Sequence, residues 1–186
     1  MNNLHNLPIK IFVFTFLISA MMGCSPVKDS IDNPIDAINE ARESLELPDL
    51  PLEFVENTGM INSPSGGLEV ANYTDTEGRI FSVNPNTNQV VEIDARAILQ
   101  SISPEKPPLS SEEVKARAMK YAESVIPNFD TLESSLKYEE GGKVDNYFFT
   151  WYAEKSSGSM NRPFLQFGFH NSGVLFAYYN TLSVVE

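Results

Sequence analysis

Apolar residues recur at helical spacing in two segments: Ile35, Ile38, Ala41 and Leu45, and then Val114, Ala118, Tyr121, Ala122 and Val125. Intervals of three and four place each set on one face of an α-helix. Each segment also has a start signal. Asn33 can cap, and Pro34 suits the first helical position because its φ is already fixed. Ser110 with Glu113 three residues on makes a capping box, and Pro127 ends the second run. Between and after these helices the pattern changes to short β-type runs. They predict strands over about Leu68–Thr74, Gly78–Val83 and Gln89–Asp94, then Ser135–Glu140, Val144–Glu154, Pro163–His170 and Val174–Val184. Asn84-Pro85-Asn86-Thr87-Asn88, Gly141-Gly142 and Ser172-Gly173 supply the turns.

A helix followed by antiparallel strands therefore occurs twice. Ser101-Ile102-Ser103-Pro104-Glu105-Lys106-Pro107-Pro108 separates the two occurrences, and its three prolines cannot continue a helix or a central strand. The expected fold class is α+β, two tandem helix-plus-antiparallel-hairpin units with the helices packed on antiparallel sheet. The units span residues 33–100 and 110–186, with a Pro-rich linker over 101–109. The stretch from Gly78 to Val91 has the same outline as that from Pro163 to Phe176, a weak internal repeat.

The first 23 residues differ from everything after them. Lys10 is their only Lys or Arg, they hold no acid, and Ile11–Met22 is an almost unbroken apolar run. That is the layout of a signal peptide, and the run is shorter than the roughly 17–25 residues that cross a bilayer. Met21-Met22-Gly23-Cys24 resembles the lipobox of bacterial lipoproteins, in which a small residue precedes the cysteine that takes a diacylglyceryl group. The resemblance implies lipidation of Cys24, whose thiolate is the nucleophile. Two or more acyl chains would then hold the protein on the cell membrane or the outer membrane. The other reading of Cys24 is an incidental thiol after a plain signal; its place, and its being the only cysteine, favour the lipid. Residues 24–32 are polar and without period, and read as a tether.

Composition narrows the function. Without residues 1–23 the chain keeps 12 basic and 25 acidic residues, a charge of −13. Such a surface repels phosphate backbones, which excludes nucleic acid as a partner. With Cys24 lipidated, no intrachain disulfide, tetrathiolate metal site or cysteine nucleophile is available. His170 is the only histidine after the signal. Its position before Asn171-Ser172-Gly173 reads as a polar strand end rather than as a catalytic base.

Phe81-Ser82-Val83-Asn84-Pro85-Asn86-Thr87-Asn88-Gln89-Val90 resembles the terminal hairpin of the PepSY family. There a strand leads into an Asp-x-x-Thr-Gly turn and then Val; Asn84 stands here for the aspartate and Asn88 for the glycine. The second half is also similar to that family and to its YcdB/YcdC-like and YpeB-like relatives. It has a helix opening in Ser-x-Glu-Glu, the aromatic strand Tyr147-Phe148-Phe149-Thr150-Trp151-Tyr152, and a last hairpin turning at Ser172-Gly173. The resemblance implies an envelope module without catalytic residues or cofactor, whose partner is an envelope protein or a peptidase that it inhibits or chaperones.

Fourteen of the 17 aromatic residues after the signal lie between Tyr121 and Tyr179. Strand alternation puts Tyr147, Phe149 and Trp151 on one face and Phe148, Thr150, Tyr152 and Glu154 on the other. Leu165, Phe167 and Phe169 likewise oppose Phe164, Gln166, Gly168 and His170. The purely apolar sets are expected to pack on the helix of Val114 and Tyr121. Phe148, Tyr152 and Phe164 are then the candidate partner face, set against the alternative that further chain covers them. Asn84/Asn86/Asn88 and Asp75-Thr76-Glu77-Gly78 have metal-like spacing but incomplete ligand sets, and read as turns. Glu139 and Glu140 are adjacent on a strand and point oppositely, a poor pair for glycoside chemistry. No metal or catalytic residue is expected. The reading is a lipid-anchored envelope protein acting as a non-catalytic binding or regulatory module. The alternatives are a cell-wall or polysaccharide hydrolase or its accessory subunit, and a structural envelope protein.

Overall fold

The computed structural model describes residues 33–102, 107–143, 145–155 and 160–182, with the side chains of 56–58 left out. The expected signal peptide, Cys24 and the tether lie outside the described residues, as do residues 103–106 of the linker.

Local signals set the helices. α1 (Pro34–Ser44) starts where Asn33 Oδ1 accepts from the Ile35 N–H at 2.9 Å. α2 (Ser111–Val125) carries the complete capping box: Ser110 Oγ accepts from Glu113 N–H, and the Glu113 carboxylate accepts from Ser110 N–H. α2 ends two residues before Pro127. A short helix follows, α3 (Phe129–Glu133).

Eight described strands form one antiparallel sheet: β1 (Leu52–Ser63), β2 (Gly66–Asp75), β3 (Ile80–Val83), β4 (Val90–Asp94), β5 (Lys137–Lys143), β6 (Asn146–Tyr152), β7 (Phe164–His170) and β8 (Leu175–Asn180). Their order is β1-β2-β3-β4-β8-β7-β6-β5. The first half is thus a helix followed by a four-stranded meander and the second is two helices followed by another, and the meanders meet through their last strands. At this seam Glu92, Ile93 and Asp94 pair with Tyr179, Tyr178 and Ala177.

Two expectations change. β1 is an additional strand, hidden in sequence because a bulge between Val55 and Gly59 breaks its alternation. Gly141-Gly142 is not the turn: both residues lie within β5, opposite Phe148 and Tyr147, and the chain reverses between Lys143 and Asn146. Glycine is needed at 142 because a Cβ there would stand 2.1 Å from the Asn146 carbonyl oxygen, at a φ of +136°.

The core lies between the helices and one face of the sheet. Ile38 and Leu45 of the α1 segment, and Val114, Ala118 and Ala122 of α2, are fully buried with Phe81, Phe149, Trp151, Leu165, Phe167 and Phe169. The Tyr121 ring packs at 5.8 Å from Phe169 and 6.2 Å from Phe167. The apolar alternation read from β6 and β7 therefore faces α2 as expected.

The outer half of the β1–β2 hairpin behaves differently. β2 pairs with β3 only through residues 71–74, so the hairpin from Gly59 to Val70 continues as an arm. Along the arm Ile61, Ser63, Leu68 and Val70 are wholly or partly buried, while Met60, Asn62, Gly67 and Glu69 are exposed. The buried set shares the side of Asn72, which is the helix-free side of the sheet. The arm's tip bonds the segment before β7: Met160 N–H donates to Pro64 O at 2.8 Å and Asn161 Nδ2 to Ser63 O at 2.9 Å. Since β3, β4 and β8 stand between β2 and β7, the arm bends across the helix-free side, and the bulge supplies the bend.

Candidate functional site on the helix-free face

Register assembles this face. Glu139, Thr150, Gln166, Tyr179, Glu92, Ser82 and Asn72 are successive cross-strand partners from β5 to β2. They make a polar row across the sheet, in which Gln166 Nε2 donates to Thr150 Oγ1 at 2.8 Å. One step along the strands, Tyr152 and Phe164 are partners, with ring centroids 6.0 Å apart, and Phe164 lies 6.3 Å from the Tyr179 ring. One step the other way, Phe148 faces Gly168.

The three residues of the candidate partner face are therefore all on the helix-free side, and all are partly buried. They do not form one patch. Tyr152 and Phe164 continue into Tyr179, whereas Phe148 meets Phe176 edge to face at 5.4 Å above Gly168. Phe176 is itself buried. Tyr179 and Glu92 join the site only through the β4–β8 seam, so no local pattern revealed them.

The electrostatics of the seam are asymmetric. Burial raises the Glu92 carboxyl above its ordinary value, against an opposing hydrogen bond from the Tyr179 hydroxyl. Burial likewise lifts the Tyr179 phenol to about 12. Asp94, two residues from Glu92 on the same face, is lowered, chiefly by its hydrogen bonds from Arg96. Arg96 Nε donates to Asp94 Oδ1 at 2.9 Å and Nη2 to Oδ2, and the Arg96 backbone N–H adds a third bond to Oδ1 at 3.0 Å.

The remaining sequence candidates resolve as structural features. Asp75 is clamped by arginine: Oδ1 accepts from Glu77 N–H and Arg79 N–H at 3.0 Å each, and Oδ2 from Arg79 Nη1 at 2.9 Å. Arg42 of α1 approaches the same carboxylate at 3.7 Å and lies over the Phe81 ring. Burial lowers the Arg42 pKa. Asn84 Oδ1 accepts from Asn86 N–H, and Asn88 takes a φ of +54°, so that triplet is a turn. His170 Nδ1 accepts from Ser172 N–H, closing its own turn, and no carboxylate among the described residues bonds it. Glu139 faces the helix-free side. Glu140 faces α2, where it accepts from Ser111 and from Tyr138 at 3.1 Å. Beside it a shallow cleft of about 420 Å³ is lined by Ser111, Glu140, Gly141, Gly142, Lys143 and Tyr147. Among the described residues no three metal-ligating side chains gather.

Compared with protein-family models, curated proteins and solved structures, the chain matches none.

Proposed function

We propose that this protein is a lipid-anchored envelope module of PepSY-like build, two helix-plus-hairpin units joined in one sheet. It works by binding rather than by catalysis. Its contact surface is the helix-free face of the second half. The observation that supports this is the run of partly exposed rings Tyr152, Phe164 and Tyr179 on the side of the sheet away from the helices. Rings that served only the core would be expected against α2, where Phe149, Trp151, Phe167 and Phe169 already fill that role. Cys24, acylated after removal of residues 1–23, holds the module on a membrane, and the −13 charge keeps it off anionic polymers.

A photo-crosslinking residue at Tyr152 should capture a discrete envelope partner, and Phe164→Ala should abolish capture without lowering the melting temperature. Loss of folding in Phe164→Ala, with no capture in the parent, would count against a binding face. Cys24→Ser should abolish metabolic lipid labelling; retained labelling would remove the anchor.

One observation favours a second reading, polysaccharide hydrolysis. Glu92 and Asp94 share a face, with one carboxyl raised and the other lowered, which is how an acid and a carboxylate base are kept distinct. Turnover of a polysaccharide that Glu92→Gln abolishes would establish it.

A further inference from the structure

We infer that β5 is an interface between two copies of this chain, paired antiparallel about a twofold axis at Gly141. This edge is distinct from the ring-lined surface proposed above, and its pairing does not depend on that reading.

β5 ends the sheet, and six of its seven residues are exposed, so nothing among the described residues covers it. Its hydrogen-bonding direction is set by β6. Ala153 N–H donates to Pro163 O and Asn171 N–H to Asp145 O, so odd-numbered residues of β6 bond β7 and even-numbered ones bond β5. The β5 partners of those even residues are Lys137, Glu139, Gly141 and Lys143. Tyr138, Glu140 and Gly142 therefore direct their N–H and C=O groups outward. Such a row of donors and acceptors is completed by another extended backbone. The opposite edge, β1, lacks this regularity because of its bulge.

Side chains select a second copy and its register. With Gly141 on the axis, Glu139 of each copy stands opposite Lys143 of the other, two opposite-charge pairs on the helix-free side. Lys143 has no ion pair among the described residues, and Glu139 is half exposed and bound only to Lys137 at 2.6 Å. Glu140 exchanges backbone hydrogen bonds with Gly142 of the other copy, once on each side of the axis, and meets no like charge there. An axis at Glu139 or at Glu140 instead sets carboxylate against carboxylate, and the latter also sets Lys137 against Lys143.

Gly141 supports the same register. It lies outside the positive-φ glycines, and a Cβ there would meet nothing within 4 Å, so the single chain does not require glycine at 141. On the axis it forms a non-hydrogen-bonded pair, whose Cα atoms approach to about 4.5 Å, and the absent side chains let the strands close. The net negative charge of each copy opposes approach at long range, where salt screens it, whereas the edge pairs act in contact.

The test uses the full chain in detergent with Cys24→Ser, so that an introduced cysteine is the only thiol. Gly141→Cys should give a disulfide-linked dimer on mild oxidation, because Cα atoms about 4.5 Å apart are within disulfide reach. Asp36→Cys, exposed on α1 over β3 and β4, should crosslink about tenfold more slowly. Adding Glu139→Lys to Gly141→Cys makes both charge pairs repulsive and should slow crosslinking about tenfold. Adding Lys143→Glu as well should restore it. Equal crosslinking at 36 and 141, or no restoration by the double swap, overturns the pairing. If Gly141→Cys fails to fold, sedimentation of the parent chain decides. A concentration-dependent dimer that Glu139→Lys abolishes supports the interface, and a monomer at every concentration overturns it.

Discussion

Phe148 and Phe176 meet edge to face with centroids 5.4 Å apart, and the space in which they meet exists because residue 168 has no side chain. A Cβ at 168 would stand 2.9 Å from Phe148 Cε1 and 3.0 Å from two Phe176 ring atoms. Both rings would have to move, and Phe176 is 4% exposed. Gly168→Ala should cost about 1–3 kcal/mol, the usual penalty of overpacking, in denaturant titration. Phe148→Leu in the same chain should recover part of it, since the shorter side chain yields. A neutral Gly168→Ala would show that the rings are loosely held.

Asp75 is the sole fully buried acid facing two buried guanidinium groups among the described ion pairs. Arg42 Nε and Nη2 and Arg79 Nε have no hydrogen-bond partner, so the cluster has no spare acceptor. Asp75→Asn should destabilise by about 3–5 kcal/mol, as expected when a buried charge loses its counter-ion. Glu77 also bonds Arg79, but its side chain is half exposed. Glu77→Gln should stay within about 1 kcal/mol. Equal effects of the two changes would refute the clamp.

Glu92 and Asp94 predict opposite pH dependences. With its pKa raised, folded Glu92 binds a proton more tightly than the unfolded chain does. Its contribution is full below the ordinary carboxylate range and is lost as pH rises through the raised value. Asp94, lowered by Arg96, contributes above that range and loses its contribution as pH falls through the depressed value. Glu92→Gln should therefore raise the melting temperature at pH 7, by a few degrees at most because water partly screens the site. The gain should vanish near pH 4. A gain that is constant with pH would assign the effect to packing.

The arm's tip rests on few bonds. Asn161→Ala removes the side-chain bond to Ser63 O, worth about 1 kcal/mol. Amide exchange should then accelerate between Gly59 and Val70 while β6–β8 keep their protection. Uniform acceleration would mean that the arm is integral to the sheet.

Features decided by neighbours in sequence were legible. Asn33, Pro34, Ser110 and Glu113 act within one helical turn, and the alternation of Tyr147–Tyr152 needs only the strand itself. Features decided by distant partners were not. Arg42 lies buried on the core side of α1, and its counter-ion Asp75 is delivered by the β2–β3 turn, far from it in sequence. Glu92 and Tyr179 are 87 positions apart and become neighbours only because β8 inserts next to β4. The candidate face was thus half visible: Tyr152 and Phe164 from alternation, Tyr179 and Glu92 only from register.

That insertion has a consequence for how the protein matures. The strand at the middle of the sheet is the last described one to leave the ribosome. Until β8 arrives, β4 presents an uncovered edge, and the first meander is open to any strand that reaches it. Strands β1 to β4 can zip locally, but the halves cannot lock until the far end of the chain is delivered. A chain interrupted before Leu175 would therefore leave β4 and β7 as two uncovered edges rather than yield a shortened protein.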